Sequence, residues 1–134
     1  MLAANSTELP KVFAVRITVA DLARSERFYH DGLGAQIRHI HSRESMAQFA
    51  SGPGVVLAQG GPRAAGAPVP EGAGGFLLQV ADIDALVARV AAAGGSVERP
   101  PNSGTAALSY GVRSALIRDP DGVGIEVIQR PTGR

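Results

Sequence analysis

Glu126 is a single carboxylate among Val123, Ile125 and Val127, in the stretch RDPDGVGIEV from Arg118 to Val127. A carboxylate so placed can ligate a divalent cation, act as an acid or base, or meet a cation or donor on a bound molecule. His39 and His41, in RHIHS, stand two apart and so share one face of an expected strand, a spacing that can chelate and also suits a surface strand. His30 falls near the end of an expected helix, where the helix dipole or solvent suits it better than chemistry. The chain has no cysteine, which excludes a disulfide framework, a thiolate metal site and a Cys nucleophile. No G-x-S-x-G elbow is present to support a Ser-His-Asp arrangement.

The elements that must position these residues belong to a chain of 134 residues, the size of one domain. Apolar residues make up 45% and charged residues 19%, a globular balance. Thirteen basic against 12 acidic residues give a net charge of +1 with no basic run, so a nucleic-acid partner is not expected. No apolar run approaches the roughly 20 residues of a membrane span. The start MLAANSTELPK carries no basic and apolar leader pattern, so a soluble, cytoplasmic protein is expected.

The chain repeats itself. AVRITVADLARSERFY from Ala14 matches GFLLQVADIDALVARV from Gly75 at an offset of 61, which also pairs Val19 with Val80 and Asp21 with Asp82. Further on the offset is 70, aligning GVVL (54–57) with GIEV (124–127). In each half an alternating strand leads to an aspartate suited to cap a helix, at Asp21 and Asp82. Glycines end the helices, at Gly32 or Gly34 and at Gly94 or Gly95. Three strands are expected after each helix, near 36–42, 44–51 and 54–59, then 96–99, 107–118 and 123–129. The Gly-, Pro- and Ala-rich segment 60–74 reads as a linker. Residues 119–122, DPDG, suit a type I turn. The expected architecture is α+β, βαβββ twice in a single domain (1–134), with module one at 11–59 and module two at 75–130.

The run VADLARSERFYHDGLG (Val19 to Gly34) resembles the opening of the glyoxalase/bleomycin-resistance/dioxygenase superfamily, also called vicinal oxygen chelate, and RDPDGVGIEV resembles its closing strand. With the repeat, the resemblance covers about residues 11 to 130. It implies two βαβββ modules whose mixed sheets curl around a shared cavity, often in a homodimer. It also implies four metal-ligand positions, on the first and fourth strands of each module. Carried over, these are Ala14, Val56, Gly75 and Glu126, and three of the four have no ligand atom.

The expectation is therefore a protein without metal or cofactor that binds a small molecule, of the bleomycin-resistance type, sequestering an antibiotic or related metabolite. Alternation puts Glu126 on the cavity side, with Ala14, Arg16 and Thr18 and with Gly75, Leu77 and Gln79. Arg16, Thr18, Gln79, Tyr110 and Glu126 are the expected ligand contacts, and Gln48, Gln59 and Arg38 are further polar candidates. A buried Glu126 needs a cation, with Arg16 the nearest by topology and Arg113 or Arg118 as others. Aromatic residues amount to only 4% with no Trp, which favours an aliphatic or polyketide-like ligand over a stacked heteroaromatic one. The alternatives are an enzyme (lyase, isomerase or dioxygenase) with Glu126 as acid, base or metal ligand, joined by His39 and His41 in the metal case, and an accessory subunit that keeps only the fold.

Overall fold

A computed structural model describes residues 8–60, 75–102 and 111–131. The first half holds β1 (Ala14–Val19), α1 (Leu22–Arg27), β2 (Gln36–His41), β3 (Glu44–Gln48) and β4 (Gly54–Gln59). The second holds β5 (Phe76–Gln79), α2 (Ile83–Val90), β6 (Ser96–Arg99), β7 (Arg113–Arg118) and β8 (Gly124–Gln129). Each half makes its own four-stranded sheet, in the orders β1-β4-β3-β2 and β5-β8-β7-β6. The first and last strands of each half pair in parallel, and the remaining pairs are antiparallel. This is βαβββ twice, in two sheets that are not closed into a barrel.

Strand pairing obeys the offsets of the sequence repeat. Arg16 pairs with Val56 in one sheet, and Leu77 with Glu126 in the other, 61 and 70 positions on. Helix starts are equally matched. Asp21 accepts from the Arg24 N–H at 3.1 Å and Asp82 from the Ala85 N–H at 3.0 Å. A second cap comes from the end of each module's fourth strand. Gln59 Oε1 accepts from the Leu22 N–H at 2.9 Å, and Gln129 Oε1 from the Ile83 N–H at 2.8 Å. These bonds satisfy donors that a helix start leaves open. Gln59, a ligand candidate by sequence, is thus engaged in tying α1 to β4.

Some expected boundaries shift. The strand expected over 44–51 stops at Gln48, before the Gly52–Pro53 turn. Of the strand expected over 107–118, the described part is Arg113–Arg118, and 103–110 lies outside the described residues. Most of the expected linker, 61–74, also lies outside them. α1 runs on as a wider π turn over Phe28–Gly32, in which Phe28 and Tyr29 are both fully buried.

The core lies between the helices and one face of each sheet. Ile17, Val19, Val55 and Leu57 come from the first sheet, and Ala115, Ile117, Ile125 and Val127 from the second. Leu22, Phe28, Tyr29, Ile83, Leu86 and Val90 cover them. Phe28 and Tyr29 meet edge to face at 5.2 Å. The D-P-D-G turn of the second half is bonded into the first. Asp119 Oδ2 accepts from the Tyr29 hydroxyl at 2.9 Å, while its Oδ1 accepts from the Asp121 and Val123 N–H groups, both at 2.9 Å. Asp121 Oδ1 in turn accepts from the Ala20 N–H at 3.0 Å and from Arg24 Nη2 at 3.1 Å.

Candidate functional site

Alternation leaves each sheet with a face turned away from the helices, and the expected site residues lie there. Residues paired across strands share a face, so the ladders define rows. In the first sheet one row runs Arg38, Met46, Val56, Arg16 from β2 to β1. In the second sheet the equivalent row runs Arg99, Leu116, Glu126, Leu77 from β6 to β5. The neighbouring rows carry Thr18, Ala58 and Glu44 in one sheet, and Gln79, Ile128 and Ser114 in the other. Arg16 and Thr18 therefore sit together on β1, and Gln79 and Glu126 on adjacent strands of the other sheet. Tyr110 lies outside the described residues. Gln48 and Arg38 are exposed.

The partner of Glu126 corrects the sequence reading. The Glu126 side chain is 47% exposed, so it carries no burial cost that demands a counter-charge. Arg99 approaches it, Nη2 to Oε2 at 3.9 Å, while also donating to Ser114 Oγ at 3.1 Å. Arg16, the expected partner, stands on the other sheet and donates to Glu44 Oε2 at 2.9 Å. Arg113 is taken by Asp84 at 2.7 Å, which raises its pKa and lowers that of Asp84, chiefly through that hydrogen bond. Arg118 is taken by Glu98. The missed residue, Arg99, had a signal: it is Arg38 moved by the repeat offset of 61.

His39 and His41 do not act as a pair. A bulge between them makes Ile40 the extra residue and re-aims the strand. His39 Nδ1 lies 3.2 Å from Glu26 Oε2 and 3.2 Å from Ser45 Oγ, and the buried Ser45 hydroxyl itself donates to Glu26. His41 Nε2 lies 3.5 Å from Glu44 Oε1. His30 is exposed beside Asp31, at 2.8 Å.

A cleft of about 410 Å³ opens over the row in the first sheet. Phe13, Ala14, Ile40, Met46 and Val56 give it an apolar floor and rim, and Arg16 and Glu44 are its charged lining. The Met46 side chain lies in the space above Gly54, where a Cβ would come within 2.4 Å of its sulfur. Phe13 and Ile40 are 76% and 47% exposed, an unusual amount of apolar surface at the rim of a cleft.

The model of the glyoxalase/bleomycin resistance protein/dioxygenase superfamily matches residues 11–127. The chain belongs to this superfamily. No curated protein sequence matches it. Among solved structures it is similar to a glyoxalase-related enzyme from Fulvimarina pelagi, at 23% identity and a TM-score of 0.71, over 93% of this chain and 94% of that one. It is also similar to TioX from Micromonospora sp. ML1, at 19% identity and a TM-score of 0.67, over 91% and 100% of the two chains. A superfamily enzyme from Burkholderia phytofirmans PsJN aligns at 14% identity and a TM-score of 0.71, over 91% and 100%. At these identities the likeness shows the fold, and the site must speak for itself.

The metal site that the superfamily implies does not fit these residues. Ala14 and Val56 offer no donor atom, and Glu126 is one carboxylate where several ligands are needed. Position 75 is closed by the backbone as well. Gly75 has φ +102°, and a Cβ there would lie 2.1 Å from the Gly124 carbonyl oxygen. A His, Gln or Glu at 75 would have to push β5 and β8 apart. Gly75→Ala is expected to cost on the order of 2–4 kcal/mol, from backbone strain and the clash together. Urea unfolding of the two proteins would show it, and an unchanged midpoint would mean the strands can separate there freely.

Proposed function

We propose that this superfamily member binds a small molecule on the helix-free faces of its sheets without a metal ion, as bleomycin-resistance proteins do, sequestering an antibiotic or related metabolite. The proposed unit is one domain of two modules, 11–59 and 75–130, working as a homodimer in the cytoplasm. The observation that carries the reading is the replacement of three ligand positions by Ala14, Val56 and Gly75, with Gly75 locked against the Gly124 carbonyl. Ala14 and Val56 line an apolar cleft where ligand side chains would otherwise stand. The proposed ligand contacts are Arg16 and Thr18 on the first sheet and Gln79 and Glu126 on the second, with Tyr110 proposed to join them.

Two measurements test the proposal. Elemental analysis of the purified protein should find well under one transition metal per chain, and a stoichiometric, tightly held metal would overturn it. Thermal unfolding against a panel of antibiotics and metabolites should single out a ligand that stabilises the fold, by about 2.7 kcal/mol at a hundredfold excess over Kd. One observation favours a second reading, an enzyme (lyase, isomerase or dioxygenase) with Glu126 as acid or base. At 3.9 Å its contact with Arg99 is beyond hydrogen-bond length, so the carboxylate is open to a bound substrate. In that case the thermal-shift ligand is turned over, and Glu126→Gln stops turnover while binding persists.

A further inference from the structure

The two sheets carry corresponding rows that differ in charge, with Val56 and Arg16 in the first where the second has Glu126 and Leu77, and the difference names a ligand charge. In the second sheet Arg99 reaches across Leu116 towards Glu126. In the first sheet Arg38 holds the position of Arg99 and Met46 that of Leu116, but the acid position is Val56. Arg38 has no acidic partner among the described residues. Arg16, at the other end of the row, gives only Nη1 to Glu44, and its remaining donors are open at the cleft. Two exposed guanidiniums therefore flank an apolar strip of Met46 and Val56, with their Cα atoms about 14 Å apart at the usual strand spacing.

We infer that the cleft of the first sheet takes an anionic, largely aliphatic molecule, whose acid group supplies the charge that Glu126 supplies in the second sheet. This deepens the proposed function and rests on it. The chemistry matches the surroundings: Phe13, Ile40, Met46 and Val56 receive an apolar body, Arg16 lines the cleft, and Arg38 stands beyond its lining, exposed beside Met46 on β2, so that both present forked donors suited to a carboxylate or similar acid. A cation has no counterpart here, because Glu44 is already engaged by Arg16 and lies 3.5 Å from His41.

The test uses the full chain and three probes of equal length: octanoate, 1-octanol and octylamine. Calorimetric titration should give octanoate an affinity at least tenfold above that of octanol, with octylamine weakest. Arg38→Gln and Arg16→Gln, both at exposed positions, should each weaken octanoate about tenfold and leave octanol unchanged. Val56→Glu should abolish octanoate binding by answering both arginines internally. Amide chemical-shift mapping should place octanoate on β1, β2, β3 and β4. Equal binding of octanoate and octanol on those strands overturns the inference while leaving the binding proposal intact. Octanoate affinity unaffected by either arginine variant does the same. Failure of all three probes overturns the inference, and with no stabilising ligand in the wider panel it removes the binding proposal too.

Discussion

Asp119→Ala is expected to lower the free energy of unfolding by about 3–5 kcal/mol. Asp119 is 3% exposed and accepts three hydrogen bonds, from Tyr29 and from the Asp121 and Val123 N–H groups. Alanine would leave the buried phenol and Val123 amide, and the half-buried Asp121 amide, without their partner. Each unsatisfied group costs roughly 1–3 kcal/mol, not fully additively. At about 3.5 °C per kcal/mol for a chain of this length, Tm should fall by roughly 10–18 °C. Asp119→Asn, which keeps an acceptor, should lose much less. A shift of under about 3 °C for the alanine variant would show that the turn is not a joint between the halves.

The second large effect is alkaline instability centred on Tyr29. Burial, then the nearby Asp119 charge and the hydrogen bond to it, raise the Tyr29 pKa far above its ordinary 10.0. The folded protein therefore keeps the phenol proton while the unfolded chain releases it above pH 10. Stability from this group is complete below that pH and is lost as pH rises towards the folded value. The loss is about 1.4 kcal/mol per pH unit above 10. Ultraviolet titration should show the Tyr29 phenol ionising only on unfolding. Tyr29→Phe should remove this alkaline slope, at a cost of about 1–3 kcal/mol at neutral pH for the orphaned Asp119 oxygen. Two phenols titrating together in the folded state would contradict the buried pair. Burial also raises the Asp119 pKa, against hydrogen bonds that favour its ionised form.

These two residues explain why the signatures of the sequence are so readable. Tyr29 of VADLARSERFY and Asp119 of RDPDGVGIEV bond to each other. They are fixed by the joint between the halves. Glu126, which looked like the chemical centre of its strand, is half-exposed beside Arg99, and the residues that hold the molecule together stand next to it in the same stretch.

The sequence by itself determined the two βαβββ modules and the order of their elements along the chain. Those follow from local chemistry: period-two alternation, an aspartate cap and a glycine stop, each present twice, and one D-P-D-G turn. It also determined that three ligand positions hold no donor, because that depends on residue type alone. Only the tertiary structure decided which arginine meets Glu126, that Gln59 and Gln129 cap the helices, and that a bulge separates His39 from His41. Side-chain partners depend on which strands lie adjacent and on single-residue shifts in register, and a one-residue bulge reverses the faces that alternation assigns. The sheets, in turn, decided that Arg38 and Arg99 hold matching places, one answered by Glu126 and the other facing Val56.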